Sequence, residues 1–322
     1  MNLKTIQQPI EKELAEFELY FKKAMKSQVS LLDKITYYLV KRKGKQVRPM
    51  FVFFSAKLAN EINQATYTAA ALVEIIHTAT LVHDDVVDDS MKRRGFFSIN
   101  ALWKNKIAVL VGDYLFSTGL NLALQERQFE VLYILNKAIK ELSEGELLQI
   151  EKARKLDIDE SVYYEIIRQK TASLIAASCA AGAASVTDDK ETIARIKQIG
   201  EWIGMSFQIK DDLFDFGDDN IGKPTGIDIK EKKMTLPLIY TLKQVSKSEK
   251  NEIINTIRNH SDDRKKVRKI IDQVKLSGGL EYSNRIMNEY ADKAKKALME
   301  FPESEARKGL NDLINFTINR KY

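Results

Sequence analysis

Apolar side chains recur at steps of three and four along nearly the whole chain. In "PIEKELAEFELYFKKAMK", Ile10, Leu14, Phe17, Tyr20 and Phe21 fall on one side of a helix. The same period predicts helices over 47–60, 64–89, 106–126, 128–150, 159–184, 190–216, 232–245, 262–276, 279–300 and 303–318. No stretch alternates with period two. The expected fold is therefore all-α, with ten or more helices. Several are apolar around most of their circumference and belong at the centre. Only "GDDNIGKPTG", 217–226, carries strong turn chemistry. No repeat of 20–50 residues is visible.

Composition narrows this picture. The 322 residues include only 14 glycines and five prolines, so long uninterrupted elements are expected. No linker-like or low-complexity segment appears, and one domain spanning 1–322 is predicted. Cys179 is the sole cysteine, which excludes an internal disulfide and fits a reducing compartment. The N-terminus has early acidic residues and does not read as a leader. No apolar run approaches the ~18 residues of a spanning helix. A cytoplasmic protein is expected. The net charge of +6 sits wholly in residues 241–322, with 18 Lys and Arg against 12 Asp and Glu. Dense basic tracts interleaved with aromatics are missing, which argues against nucleic acid. At most, the basic C-terminal quarter suggests peripheral contact with an anionic membrane surface.

The stretch "HTATLVHDDVVDDS", 77–90, changes the picture most. Asp84 and Asp88 are spaced i, i+4, and so share a helix face about 5–6 Å apart. The pattern recurs 127 residues later, with Asp211 and Asp215 in "DDLFD". A carboxylate pair repels itself unless a cation lies between the two groups. Mg²⁺ suits such pairs because it takes few protein oxygens and completes its shell with water and phosphate. Glu74, His77, Thr80, Asp84 and Asp88 form a narrow polar stripe on an otherwise apolar helix, as expected for a lined cavity. Cations follow each acidic motif: Lys92, Arg93 and Arg94 after the first, then Lys223, Lys230, Lys232 and Lys233. Metal-binding carboxylates beside Lys and Arg point to a polyanionic substrate such as a diphosphate. A further basic segment, "KRKGKQVRP" at 41–49, together with His77 and Arg94, could form a second diphosphate pocket without metal.

Together these motifs resemble the trans-isoprenyl diphosphate synthases, the polyprenyl synthase family, from about Lys41 to Pro237. "IHTATLVHDDVVDDSMKRRG", "VGDYLF", "EGELLQ", "KTASL", "FQIKDDLFDF" and "GKPTGIDIKEKKMTLP" look like the long-chain branch, which makes octaprenyl and heptaprenyl diphosphates. The resemblance implies the isoprenoid synthase fold, a helical bundle around an apolar cavity, and a homodimer. It implies that Asp84, Asp88, Asp211 and Asp215 bind roughly two or three Mg²⁺ ions per active site, with Asp85 in support. Arg93, Lys170, Lys223 and Lys233 would hold the allylic diphosphate. Thr171 and Gln208 would face its reacting carbon. Lys45, Arg48, His77 and Arg94 would hold isopentenyl diphosphate. The first basic signature departs from the family pattern at Lys43 and Gln46. The implied reaction is Mg-dependent head-to-tail condensation, with farnesyl or geranylgeranyl diphosphate as primer. The 217–226 loop would act as a lid, with Arg320 and Lys321 as a second one.

Product length is read from Ala79 and Thr80, one turn before Asp84. Shorter-product members of the family carry bulky side chains here. Small residues leave a tunnel open along about 22 Å of helix, enough for a product of about C30–C40. Phe116 or Leu120 would form its floor. The quinone side chain is the expected use. Four other readings remain: a C15–C20 synthase, a non-catalytic subunit of a hetero-oligomeric synthase, a terpene cyclase, and a phosphohydrolase built on His83-Asp84.

Overall fold

The computed structural model describes residues 2–42, 44–93, 95–156, 159–217 and 225–320. The chain forms short α1 (Leu3–Gln7), α2 (Glu11–Ala24), α3 (Ser30–Lys41), α4 (Val47–Ala59) and α5 (Gln64–Val87). A small antiparallel hairpin, β1 (Lys92–Arg93) with β2 (Phe96–Phe97), separates these from α6 (Ile99–Gln125) and α7 (Phe129–Lys155). Then come α8 (Glu160–Ile167), a π-helical turn (Arg168–Ala172), α9 (Ser173–Ala184), α10 (Lys190–Phe214), α11 (Ile227–Lys230) and α12 (Leu236–Gln244). The remaining helices are α13 (Lys247–Asn259), α14 (Arg264–Leu276), α15 (Gly279–Met299) and α16 (Glu305–Asn319).

The long helices begin where local chemistry lets them. Asn63 and Thr66 form a reciprocal capping box at the start of α5, and Asp189 accepts two backbone N–H bonds at the start of α10. α5 is the axis of the first half, packed on α2, α4, α6 and α9. Its Leu72, Ile75 and Ile76 are buried, as are Phe17, Phe53 and Phe54 around it. Each such side chain contributes roughly 1.5–3 kcal/mol by leaving water. A second apolar cluster gathers α8, α12, α13, α14 and the C-terminal end of α10 around Phe216, Leu236 and Ile257.

Several sequence expectations need correction. The 106–126 helix starts earlier, at Ile99, because Ser98 caps it, and it is interrupted at Lys104, where φ is 73°. The 159–184 helix is broken by the π turn. The helices at Ser30–Lys41 and Lys247–Asn259, and the hairpin, were not anticipated. α5 and α6 are both long and apolar enough to cross a membrane by length and composition, contrary to the sequence reading. In α5 that apolarity is spent on the core, since 72% of its most apolar stretch is buried, against 33% in α6.

Candidate active site

α5 and α10 each bring an aspartate motif to their C-terminal ends. The two motifs line different cavities that share a wall. One cavity, of about 340 Å³, is lined by Lys170, Thr171, Gln208, Asp211, Asp215 and Lys233, together with Tyr163, Asp212 and Asp228. The second is lined by Asp88, Glu146 and Lys233. Gln149, Ala153 and Lys233 border both, so they join the α5 side to the α10 side. Candidate residues from distant parts of the sequence thus line two adjoining cavities.

Lys170 and Thr171 owe their position to the π turn. A π turn widens the helix by one residue and is often found at functional sites. α7 approaches the turn closely because residue 145 is glycine: a Cβ there would sit 2.7 Å from Gln169 Cβ. Gly204 likewise admits α10, since a Cβ would overlap Ala172 Cα. Lys170 Nζ then lies 2.5 Å from Glu146 Oε2, and Thr171 Oγ1 donates to Gln208 Oε1 at 2.6 Å.

Asp84 and Asp215 are short of positive charge. Burial, the neighbouring Glu146 and, more weakly, Asp88 raise Asp84 to about 6 against the partial relief of Lys170 and Arg93. Burial and Asp228 raise Asp215 to about 7, although it accepts backbone N–H bonds from Ile227 (2.8 Å) and Asp228 (3.1 Å). Those bonds also tie Asp215 to the start of α11. Asp211 Oδ1 accepts from Arg320 Nη2 at 2.6 Å, and the Arg320 guanidinium lies 3.9 Å from the centre of the Phe207 ring. Among the described residues, no three His, Cys, Asp or Glu side chains converge to hold a metal by themselves. The donors are hard oxygens only. Such a set fits Mg²⁺ provided that a phosphate and water complete the shell.

Asp85 parts company with Asp84 and Asp88. It is 4% exposed, its Oδ1 accepts from Arg93 Nε at 2.6 Å, and Asn100 donates to its carbonyl. It lines a separate pocket with Glu74, His77, Arg42, Gly44 and Arg93. His77 and Arg93 therefore meet there, and Arg42 joins them, held between the Tyr38 and Phe96 rings. Lys45 is exposed and its ammonium lies 5.7 Å from the Phe316 ring centre, while Arg48 is half-buried on the first turn of α4. Arg94, Lys223 and Lys321 lie outside the described residues, as does most of the 217–226 loop.

Ala79 and Thr80 are buried in α5, and Thr80 Oγ1 donates to the His77 carbonyl at 2.9 Å. One turn on, His83 packs against α6, its ring 5.7 Å from that of Phe116. His83 Nε2 lies 3.4 Å from Asp113 Oδ1, on a different side of α5 from the His77 pocket. No histidine pair among the described residues supports the phosphohydrolase reading. Leu120 is 37% exposed, so it faces outward rather than closing a tunnel. Sequence reasoning missed Arg42, Glu146, Tyr163, Asp212 and Asp228. Arg42, Glu146, Asp212 and Asp228 stood inside segments already singled out, "KRKGKQVRP", "EGELLQ", "DDLFD" and "GKPTGIDIKEKKMTLP", and Tyr163 alone did not.

A helical bundle of this kind is what the comparisons also return. Residues 29–274 match the model of the polyprenyl synthetase family, and the chain belongs to that family. It is a prenyltransferase. It is 33% identical to octaprenyl diphosphate synthase of Escherichia coli (strain K12), over 99% of each chain. The structure superposes on a decaprenyl diphosphate synthase from Rhodobacter capsulatus with TM-score 0.94, at 32% identity over 100% of both chains. A polyprenyl synthase from Caulobacter crescentus CB15, complexed with calcium and isoprenyl diphosphate, gives TM-score 0.92 at 33% identity, over 100% of this chain and 98% of that one.

Proposed function

We propose that this protein is a cytoplasmic, homodimeric long-chain trans-polyprenyl diphosphate synthase. It condenses isopentenyl diphosphate head to tail with an allylic primer, farnesyl or geranylgeranyl diphosphate, to a product of about C30–C40, a length read from the small Ala79 and Thr80 along the helix. The observation that carries this reading is the cleft in which Lys170, Lys233, Asp211, Thr171 and Gln208 line one cavity and Asp88 the adjoining one.

In this reading Asp84, Asp88 and Asp211, with Asp215 beside them, would hold Mg²⁺, which would supply charge neutralisation for the diphosphate. Lys170 and Lys233 bind the same diphosphate, Lys170 exchanging part of its hold on Glu146 for phosphate oxygens. As the allylic C–O bond breaks, positive charge spreads over the allyl unit and negative charge passes to the leaving pyrophosphate. The lysines stabilise that charge where it develops. Thr171 and Gln208 present oxygens to the allyl unit. His77 and Arg42, with Lys45, Arg48 and Arg94, hold isopentenyl diphosphate so that its double bond reaches the allylic carbon, and Arg93, expected at the allylic diphosphate, is reassigned to this pocket because it lines it with His77. Proximity supplies much of the rate. The proton released on forming the new double bond leaves with pyrophosphate. The apolar walls exclude water, which would otherwise quench the cation.

Asp211→Asn is expected to lower incorporation of labelled isopentenyl diphosphate by about 100-fold or more, with helicity unchanged by circular dichroism. Unchanged incorporation sinks the assignment.

A further inference from the structure

The pocket of His77 and Asp85 is walled by α2, α3, α5 and the hairpin, and its two arginines are not equivalent. Arg93 Nε is tied to Asp85 Oδ1 at 2.6 Å. Arg42, among the described residues, pairs with no carboxylate. Its guanidinium lies against two rings instead, 3.6 Å from the centre of Tyr38 and 4.2 Å from that of Phe96. It also donates Nη1 to the Tyr38 hydroxyl. Tyr38 is itself fixed: its hydroxyl donates to the Phe97 carbonyl at 2.6 Å, and its ring meets Trp103 edge to face with centres 5.4 Å apart. The hairpin sets Phe96. Gly95 takes the turn at φ 79°, and Phe96 then pairs with Arg93 across the strands. Residues so paired project from one face of a hairpin, so Phe96 and Arg93 reach the same pocket.

We infer that Tyr38 and Phe96 are positioning residues for isopentenyl diphosphate: they hold the Arg42 guanidinium in the pocket, where it supplies the positive charge that Asp85 draws from Arg93. The inference rests on the reading of this pocket as the isopentenyl diphosphate site. Glu74 and Asp85 put carboxylates into the same wall, so a diphosphate there needs a cation that is not already engaged. Arg42 stands at the C-terminal end of α3, where an arginine left to itself would sample many rotamers. Gripping an anion from that state would cost most of this freedom. Two ring faces remove it before the anion arrives, and their negative faces attract the cation. A stacked guanidinium keeps its rim, where the N–H groups point, for phosphate oxygens. One N–H serves Tyr38, and the rest of the rim remains for the substrate. The two rings thus act on isopentenyl diphosphate through Arg42.

Phe96→Leu keeps apolar bulk and removes the ring face. It is expected to raise KM for isopentenyl diphosphate about tenfold, with kcat and KM for the allylic primer within about twofold of the parent. Calorimetric binding of isopentenyl diphosphate in EDTA should weaken by the same factor as KM. Phe96→Trp offers a better face to a cation and should keep parental binding. A packing role predicts instead that leucine is tolerated at least as well as tryptophan. Arg42→Ala should lose at least as much binding as Phe96→Leu, and adding Phe96→Leu to Arg42→Ala should weaken binding no further. Tyr38→Leu should behave as Phe96→Leu does in both backgrounds. Unchanged binding in Phe96→Leu, additive losses in the double variants, or a loss carried by kcat or by the allylic primer overturns the inference. His77→Ala separates it from the site reading. If His77→Ala weakens binding in EDTA and Arg42→Ala does not, the pocket stands and the positioning role falls. If neither weakens it, both fall. Thermal denaturation of each variant establishes that the protein compared is folded.

Discussion

Asp84 and Asp85 are neighbours in sequence and serve different pockets. Asp84 faces Glu146 and Lys170, whereas Asp85 is tied to Arg93 and turned toward His77. The i, i+4 rule places Asp88 with Asp84, but it cannot say which cation answers each carboxylate. The same limit applies to Thr80. Its size was legible, and its burial beside Ala79 agrees with a residue that can set the width of an apolar passage. Thr80→Phe is expected to shorten the product below C30, as read by chromatography of the dephosphorylated chains. Overpacking should cost about 1–3 kcal/mol of stability at the same time. An unchanged product distribution would reduce Ala79 and Thr80 to packing residues.

At the scale of elements, helix positions were legible from period and caps, and breaks within them were not. The segment 159–184 has continuous helical periodicity, yet it opens into a π turn where Lys170 and Thr171 enter the cleft. That turn is set from outside, by α7 and α10 pressing on it through Gly145 and Gly204. Gly204→Ala should force Ala172 away and destabilise the protein by about 1–3 kcal/mol, measured by urea denaturation, with loss of turnover exceeding the loss of fold. α8 is fastened at its other end by Glu160, which accepts from Lys243 of α12 (2.6 Å) and Tyr282 of α15 (2.5 Å). Burial opposes the charge on Glu160, but these two bonds outweigh it and hold the carboxyl below its ordinary range. A depressed value means that the ionised form stabilises the fold above the unfolded-state pKa, and that this is lost as pH falls through the folded value. Glu160→Gln should thus cost stability at pH 7, with the difference from the parent vanishing in acid. Solvent around the half-exposed Lys243 limits the effect to about 0.5 kcal/mol. A difference that grows on acidification would refute the sign.

At the scale of the whole molecule, α6 poses the main question. Val109, Leu110, Leu120 and Leu124 are between 37% and 57% exposed and fall within one helix face. An exposed apolar face of this kind, with Asp113 and Ser117 set into it, marks an association surface. A second copy of the chain, related by a two-fold axis, is the simplest partner for it. The parent protein is expected to be a dimer by light scattering at micromolar concentration, and Leu110→Glu a monomer. A parent that is monomeric under those conditions overturns the homodimer. A heavier assembly seen only with other proteins present would revive the hetero-oligomer reading.

The sequence by itself determined the all-α class, most of the long helices, the two acidic motifs and the family. Each is carried by short-range pattern: the 3.6-residue period, caps at Asn63 and Asp189, and carboxylates one helical turn apart. Only the tertiary structure decided that Lys233 bridges the two cavities, that Glu146 stands beside Lys170, and that Tyr163 donates to Asp212. Those relations join residues from different helices, far apart along the chain. They depend on how closely helices approach one another, which a glycine permits but does not announce. Local spacing fixes what one helix face presents, and packing alone fixes what it meets.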